Sequence, residues 1–209
     1  MSQSEESSRS ELEGGAVKAD SSDRGTGAPA TGTAPPVTLT SLTAHRITEP
    51  WQVERMRQIY NETLPDLATR PGLTPRTEAA QQEWWSEVHD HAVAHLYSPI
   101  TEPWKFVAFS LVQWKPGGIV TPLFAIETAW QGRGLGRQII DHYLKIANAP
   151  LAGSALTSNR AIMHLNERAG WQQLAERDGV ALLYHPGPHP TDDARQREIF
   201  DAIMEYHGL

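Results

Sequence analysis

The residues with the strongest chemical signature stand together at Gln131-Gly132-Arg133-Gly134-Leu135-Gly136-Arg137. Three glycines at alternate positions lead into a run whose apolar residues, 135, 139, 140, 143, 144 and 147, repeat at helical spacing. A helix start leaves its first backbone N–H groups unpaired, and with the macrodipole they act as about half a positive charge. Glycines bring that backbone close to a ligand, and Arg133 and Arg137 add charge-assisted donors on either side. The chemistry this suits is the holding of a phosphate or diphosphate. A ligand-free strand–helix connection is the plainer reading of the same residues.

Two other glycine loops are excluded by spacing. A P-loop needs Gly-Lys-Ser/Thr, and here the run ends in Gly136-Arg137-Gln138. A dinucleotide fingerprint read from Gly134 needs a small residue at 139, where Ile139 stands. What remains is Gln-x-x-Gly-x-Gly, carried by Gln131, Gly134 and Gly136.

Other side chains with chemical potential are fewer. Glu127 ends the apolar segment before the loop and is a candidate base, or an attractor for a cationic acceptor; a solvated strand-end carboxylate is the alternative. His91 and His95 are four apart but enclose no glutamate, so no zinc-protease motif exists, and with His89 they read as surface or packing residues near the acceptor side. No metal site is expected. With no cysteine in the chain, disulfides, thiolate catalysis and cysteine-ligated metals are excluded.

These residues must be positioned by regular elements. Residues 1–36 have the composition of a disordered tail: serines, acids, then Pro, Gly, Ala and Thr. Residues 37–42 read as a first strand, and Thr48 as the N-cap of a helix carrying Trp51, Met56, Ile59, Tyr60 and Leu64. After a loop over 65–75, a second helix starts near Thr74 or Thr77 and carries Trp84 and Trp85. Residues 92–97 and 104–114 read as strands, and 119–126 as a buried strand interrupted by Pro122. Behind the glycine helix come a small-residue strand over 150–158, a helix over 159–169, and a hairpin around Asp178-Gly179. Residues 192–206 read as a terminal amphipathic helix. The order predicts an α+β (α/β mixed) fold with a mixed, mostly antiparallel sheet, one βαβ crossover and flanking helices. The predicted division is a tail over 1–36, a domain over 37–187 and a helical extension over 188–209.

The glycine loop resembles the acyl-CoA diphosphate loop of the GNAT family of N-acetyltransferases. The run from Asn159 to Trp171 resembles a second stretch of that family, with Asn159 followed eleven residues later by Gly170 and then an aromatic residue. The resemblance covers about residues 37–185. It implies the GNAT fold, and acetyl-CoA as the acyl-donor cosubstrate, lying at a splayed pair of parallel strands, 119–127 and 151–158. The diphosphate is implied on the amides of Gln131, Gly132, Arg133, Gly134, Leu135, Gly136 and Arg137. The pantetheine arm is implied along backbone groups of Ile126 and Thr128, with small side chains near Gly153 and with Asn159 reaching in from the other side. The implied reaction is direct attack of an amine on the thioester, with an oxyanion held by a backbone N–H of the key strand.

The sequence departs from the family at one place. The usual thiol-protonating Tyr corresponds to Asn166, which cannot serve as an acid. Three readings stay open: another group (Tyr143, His164 or water) protonates the thiolate, the thiolate leaves without an acid, or the domain binds CoA without turnover. The acceptor is read as a small-molecule or protein amine, with Trp84, Trp85 and the 65–76 loop near its wall.

Net charge is −7, from 18 Lys and Arg against 25 Asp and Glu, which disfavours nucleic-acid binding through the overall field and mildly favours a cationic acceptor. No apolar run approaches the roughly 20 residues of a membrane span, and the N-terminus has no apolar signal core. No membrane and no nucleic-acid partner, a cytoplasmic location, and a monomer or homodimer are the expectations.

Overall fold

The computed structural model describes residues 41–67, 74–115 and 119–188, and beyond them Ala194, Arg197, Glu198 and Asp201, all four helical. The chain divides between residues 36 and 37, and every described residue lies in the second unit. The expected tail over 1–36 and most of the terminal helix lie outside the described residues.

Among the described residues seven strands form one sheet in the order β1-β2-β3-β4-β5-β7-β6. They are β1 Leu42–Arg46, β2 Ala92–Pro99, β3 Ala108–Lys115, β4 Ile119–Ile126, β5 Leu151–Leu156, β6 Gln172–Arg177 and β7 Val180–His185. Every pairing is antiparallel except β4 with β5. The helices are α1 Pro50–Leu67, α2 Glu78–Val88, α3 Leu135–Ala147 and α4 Arg160–Arg168. The expected mixed sheet with one parallel crossover is what forms.

Strand alternation sends the two faces to different helices. Leu96, Phe109, Leu111 and Ala125 share a core with Val53, Met56, Ile59 and Tyr60 of α1. Tyr97, Ala108, Val112 and Val120 share another with Ile139, Ile140 and Tyr143 of α3, which also takes Trp171 and, at its margin, Ile162 and Leu165 of α4. Full burial of side chains of this kind contributes about 1.5–3 kcal/mol each.

Several boundaries fall differently from the sequence reading. Residues 37–40 of the expected first strand lie outside the described residues, and the first described strand, β1, starts at Leu42; Gln52 Oε1 rather than Thr48 meets the free amides of Thr48 and Glu49, at 2.7 and 2.9 Å. α1 runs through Pro65 to Leu67; Pro65 stands in its last turn, where one lost bond costs little, and Leu64 and Leu67 are held by the core. β3 starts only at Ala108, and Trp104, 75% exposed, belongs to the connection before it. Other local signals hold. Thr77 caps α2 by accepting from the Ala80 amide at 3.2 Å. Asp178 and Gly179, with φ of 52° and 77°, give the β6–β7 turn its positive-φ pair.

Candidate functional site: an open strand edge beside a helix start

The glycine loop lies between β4 and α3, and its geometry follows from two residues in left-handed backbone. Gly132 has φ +72° and Gly134, the residue before α3, has φ +76°. No side chain caps α3. Among the described residues, no protein acceptor meets the amides of Gly132, Arg133, Gly134, Leu135 or Gly136. Gly136 lets α4 approach: a Cβ there would stand 2.7 Å from Leu165 Cδ2. Trp130, 7% exposed, packs with Val107 and Leu135 beneath the loop. The Arg133 guanidinium lies 4.6 Å from its ring centroid and Lys105 Nζ 5.1 Å, both in cation–π range. Arg137 bonds Asp141 at 2.9 Å and the Arg168 carbonyl at 2.8 Å, tying α3 to the end of α4.

The loop adjoins a gap in the sheet. β4 and β5 are joined at a single bridge, Val120↔Leu151. β4 keeps an uninterrupted register with β3 from Lys115↔Ile119 to Ala108↔Ile126. The Glu127 N–H donates to the Val107 carbonyl at 2.9 Å, so odd-numbered residues bond to β3 and even-numbered ones turn their backbone groups toward β5. Pro122 is one of the even residues and has no N–H to offer. A donor is therefore missing immediately past the bridge, and the strands part there. The interruption expected at Pro122 is real, and it lies on the β5 side.

Two side chains occupy that open edge. Gln131 Nε2 donates to the Ile126 carbonyl at 3.0 Å, and the Thr128 N–H donates to Glu62 Oε1 at 3.0 Å. Both backbone positions implied for the pantetheine arm thus have protein partners. Glu127 is ion-paired with Arg55, whose guanidinium also donates to the Phe106 carbonyl at 3.1 Å through Nε and 2.6 Å through Nη2. The Glu127 side chain is 15% exposed. It is a charge-neutralised group at the strand end, not a free carboxylate.

The remaining candidates are spread out. Asn159 is the N-cap of α4, its Oδ1 accepting from the Ile162 amide at 3.2 Å. Asn166 is buried in α4. Its carbonyl accepts from Trp171 N–H while Gly170 N–H, at φ +91°, donates to Glu167, which closes the helix in a Schellman motif. Gly153 faces the Trp171 ring rather than lining the gap. Tyr143 is buried under the sheet, and burial pushes its pKa up, so it stays a neutral phenol in the core. His164 is exposed beside Glu167.

His95 is a packing residue of β2. It lies on the α3 face with its ring edge-on to His142, centroids 4.8 Å apart, and its Nδ1 is buried without a partner. Burial, then the neighbouring His142 and Arg46 charges, pull its pKa down to about 4. Tyr97 joins Ser110 and His142 at 2.7 and 2.8 Å, and burial pushes its pKa up to about 12. Trp84 and Trp85 are both half-buried, and Trp84 and Tyr60 hold the Arg76 guanidinium at 4.2 and 4.6 Å. A groove of about 660 Å³ lies elsewhere, lined by Trp51, Glu54, Arg55, Gln58, Trp104, Lys105 and Phe106. Its Arg55 wall backs onto Glu127, on the β3 side of the strand end rather than at the gap. Among the described residues no cluster of three or more His, Asp or Glu could hold a metal, and no helix is long and apolar enough to cross a membrane.

Sequence reasoning missed Arg55, Glu62 and the Trp51–Trp104 groove. Arg55 and Glu62 stand seven apart on α1, hence on one face, but nothing local says which strand end that face meets.

A mixed sheet parted after one parallel bridge, with a glycine turn and helix at the parting, is the acyl-CoA N-acyltransferase fold, and the chain has it. It superposes on a GNAT superfamily phosphinothricin acetyltransferase from Sinorhizobium meliloti in complex with AcCoA, with a TM-score of 0.57 and 11% identity over 75% of this chain and 95% of that one. It also matches spermidine N-acetyltransferase from Vibrio cholerae in complex with CoA and spermine (TM-score 0.56, 13% identity, 68% and 94% coverage). A Salmonella typhimurium protein solved with its cofactor acetyl-CoA gives 0.59 at 15% identity over 73% and 98%. No protein-family model matches the sequence, and no curated protein matches it.

Proposed function

We propose that this chain is an acetyl-CoA-dependent N-acetyltransferase that acts on a primary amine of a small molecule or a protein. The observation that carries the reading is the row of unpaired amides from Gly132 to Gly136 next to the β4 edge that β5 has left open. Unpaired donors at a helix start fit a diphosphate, and an extended arm fits an unpaired strand edge. Among the solved neighbours are, by description, a phosphinothricin acetyltransferase with AcCoA, a spermidine N-acetyltransferase with CoA and spermine, and a protein with its cofactor acetyl-CoA.

Acetyl-CoA bound there supplies a thioester carbonyl, on which a neutral amine forms the amide bond while the C–S bond breaks and CoA leaves as the thiol. The chain's own part is chiefly positional. Backbone amides of 132–136 hold the diphosphate, and Arg133 and Arg137 screen its charge. The gap-side N–H of Ile126 is placed to stabilise negative charge developing on the carbonyl oxygen. Glu127 sets a carboxylate beside that point, tempered by Arg55, and it holds or relays the proton the amine gives up. With reactants held in this way, proximity supplies most of the rate.

A second reading is favoured by Asn166 and by the Arg55–Glu127 pair: an acyl-CoA-binding module without turnover. Calorimetric titration with CoA, together with mass spectrometry of a primary-amine panel incubated with acetyl-CoA, separates the two. An acetylated product supports the enzyme; CoA affinity without product selects the binding module; no CoA affinity removes both.

A further inference from the structure

Glu62 ties α1 to the chain just past β4. It is exposed, it projects from α1 across to the end of β4, and its carboxylate is spent on one backbone amide, that of Thr128. Among the described residues no cation pairs with it. The amide it meets is one of the gap-side groups that an added strand would use, because Glu127 N–H is committed to β3 and its neighbours turn away. Gln131 does the complementary thing at the Ile126 carbonyl, giving a donor where Glu62 gives an acceptor. Together they mimic the two hydrogen bonds of an extended chain lying along β4.

The charge at this strand end is uneven. Glu127 is neutralised by Arg55, and Arg55 is itself anchored by two bonds to the Phe106 carbonyl. A cation arriving there would have to displace a fixed guanidinium from Glu127. The carboxylate of Glu62 offers no such competition once its amide is taken by something else.

We infer that Glu62 stands in for the acyl donor's arm on the Thr128 amide in the unliganded chain and, displaced when the arm binds, becomes the carboxylate that receives the ammonium group of the acceptor. The inference rests on the acetyl-transfer reading and names what selects the substrate: a positively charged amine, drawn to a negative charge that is released only when the donor is in place, and giving up a proton to solvent before it attacks as the neutral amine. Donor and amine then bind with positive coupling, and by linkage each raises the other's affinity by the same factor.

Two substitutions separate the roles on the full chain. Glu62→Gln keeps an oxygen for the Thr128 amide and loses the charge; Glu62→Ala loses both. Calorimetric titration with CoA should give Glu62→Ala a dissociation constant three- to tenfold lower than wild type, with Glu62→Gln clearly closer to wild type. An equal gain in both variants means that the carboxylate merely repels the CoA phosphates and overturns the stand-in role, as does unchanged or weaker binding by Glu62→Ala. With the best acceptor of the amine panel, both variants should raise the amine KM at least tenfold and leave kcat within about threefold. An unaltered KM overturns the ammonium role. Failure of the underlying reading looks different: wild type then binds no CoA, or binds it and makes no product, before any variant is compared.

Discussion

His95 makes acid stability a quantitative test of how the α3 face is packed. Its imidazole is folded neutral, with Nδ1 sealed from water, His142 edge-on at 4.8 Å and the Arg46 charge near it. In the unfolded chain the same ring titrates at 6.5, and in the fold at about 4. A depressed folded pKa means that the unfolded state binds the proton first, so the full contribution is present above pH 6.5 and is lost as pH falls toward 4. The fall from 6.5 to about 4 corresponds to at most ~3.4 kcal/mol, and the ring's partial exposure to solvent screens this to about 1–2 kcal/mol. Other groups also titrate in this range, so the measurement is a difference. Urea unfolding followed by tryptophan fluorescence, at pH steps from 7.5 to 4.5, is compared between wild type and His95→Gln. Wild type should lose about 1–2 kcal/mol more than the variant over that range. Parallel curves, or an NMR titration midpoint for His95 near 6.5, would refute the argument that this ring is held neutral by burial.

The site offers three more tests. Arg55→Ala strips two bonds from the Phe106 carbonyl and leaves the half-buried Glu127 charge alone, so stability should fall by about 1–3 kcal/mol, read as a lower urea midpoint at constant slope. Arg55→Lys, without the fork, should recover less than half of the loss. Arg137→Glu breaks exposed contacts with Asp141 and the Arg168 carbonyl, so the melting curve should shift little while CoA affinity drops about tenfold, ~1.4 kcal/mol, by calorimetry. Gly134→Ala puts a side chain at φ +76°, with an expected stability cost of about 1–2 kcal/mol and a clear loss of CoA affinity; full affinity would mean that the diphosphate does not sit on this turn.

What was legible in the sequence was local. Gly132 and Gly134 announce positive φ, Thr77 and Asn159 announce helix starts, Gly170 a helix stop, and Asp178-Gly179 a tight turn, because each of these is decided by a residue and its near neighbours. Pro122 also told the truth about an interrupted strand, but not which side would open; that depended on the register with β3, which no local pattern encodes. The same limit hid Arg55 and Glu62. Their spacing places both on one face of α1, yet the angle at which that helix crosses the sheet is set by Val53, Met56, Ile59 and Tyr60 packing on Leu96, Phe109 and Leu111. The face that His95 takes was hidden for a related reason: alternation fixes that it opposes Leu96, but not which of the two faces meets α3. The glycine loop could be read for its backbone, and its tie to Trp130 could not, since a stacked guanidinium needs only proximity.

The single bridge between Val120 and Leu151 also bears on how the molecule deforms. With only one backbone rung across the seam, the leaf of β1 to β4 and the leaf of β5, β7 and β6 are joined chiefly by oily side chains of the shared core, Val120, Ile139, Leu151, Ala155 and Leu183 among them. Apolar contact has no preferred direction, whereas a ladder of hydrogen bonds does. Past that one rung the seam has no backbone ladder to break if it widens or narrows by small sliding movements. Movement between the two leaves would then fall along the line where β4 and β5 part, beside the glycine turn.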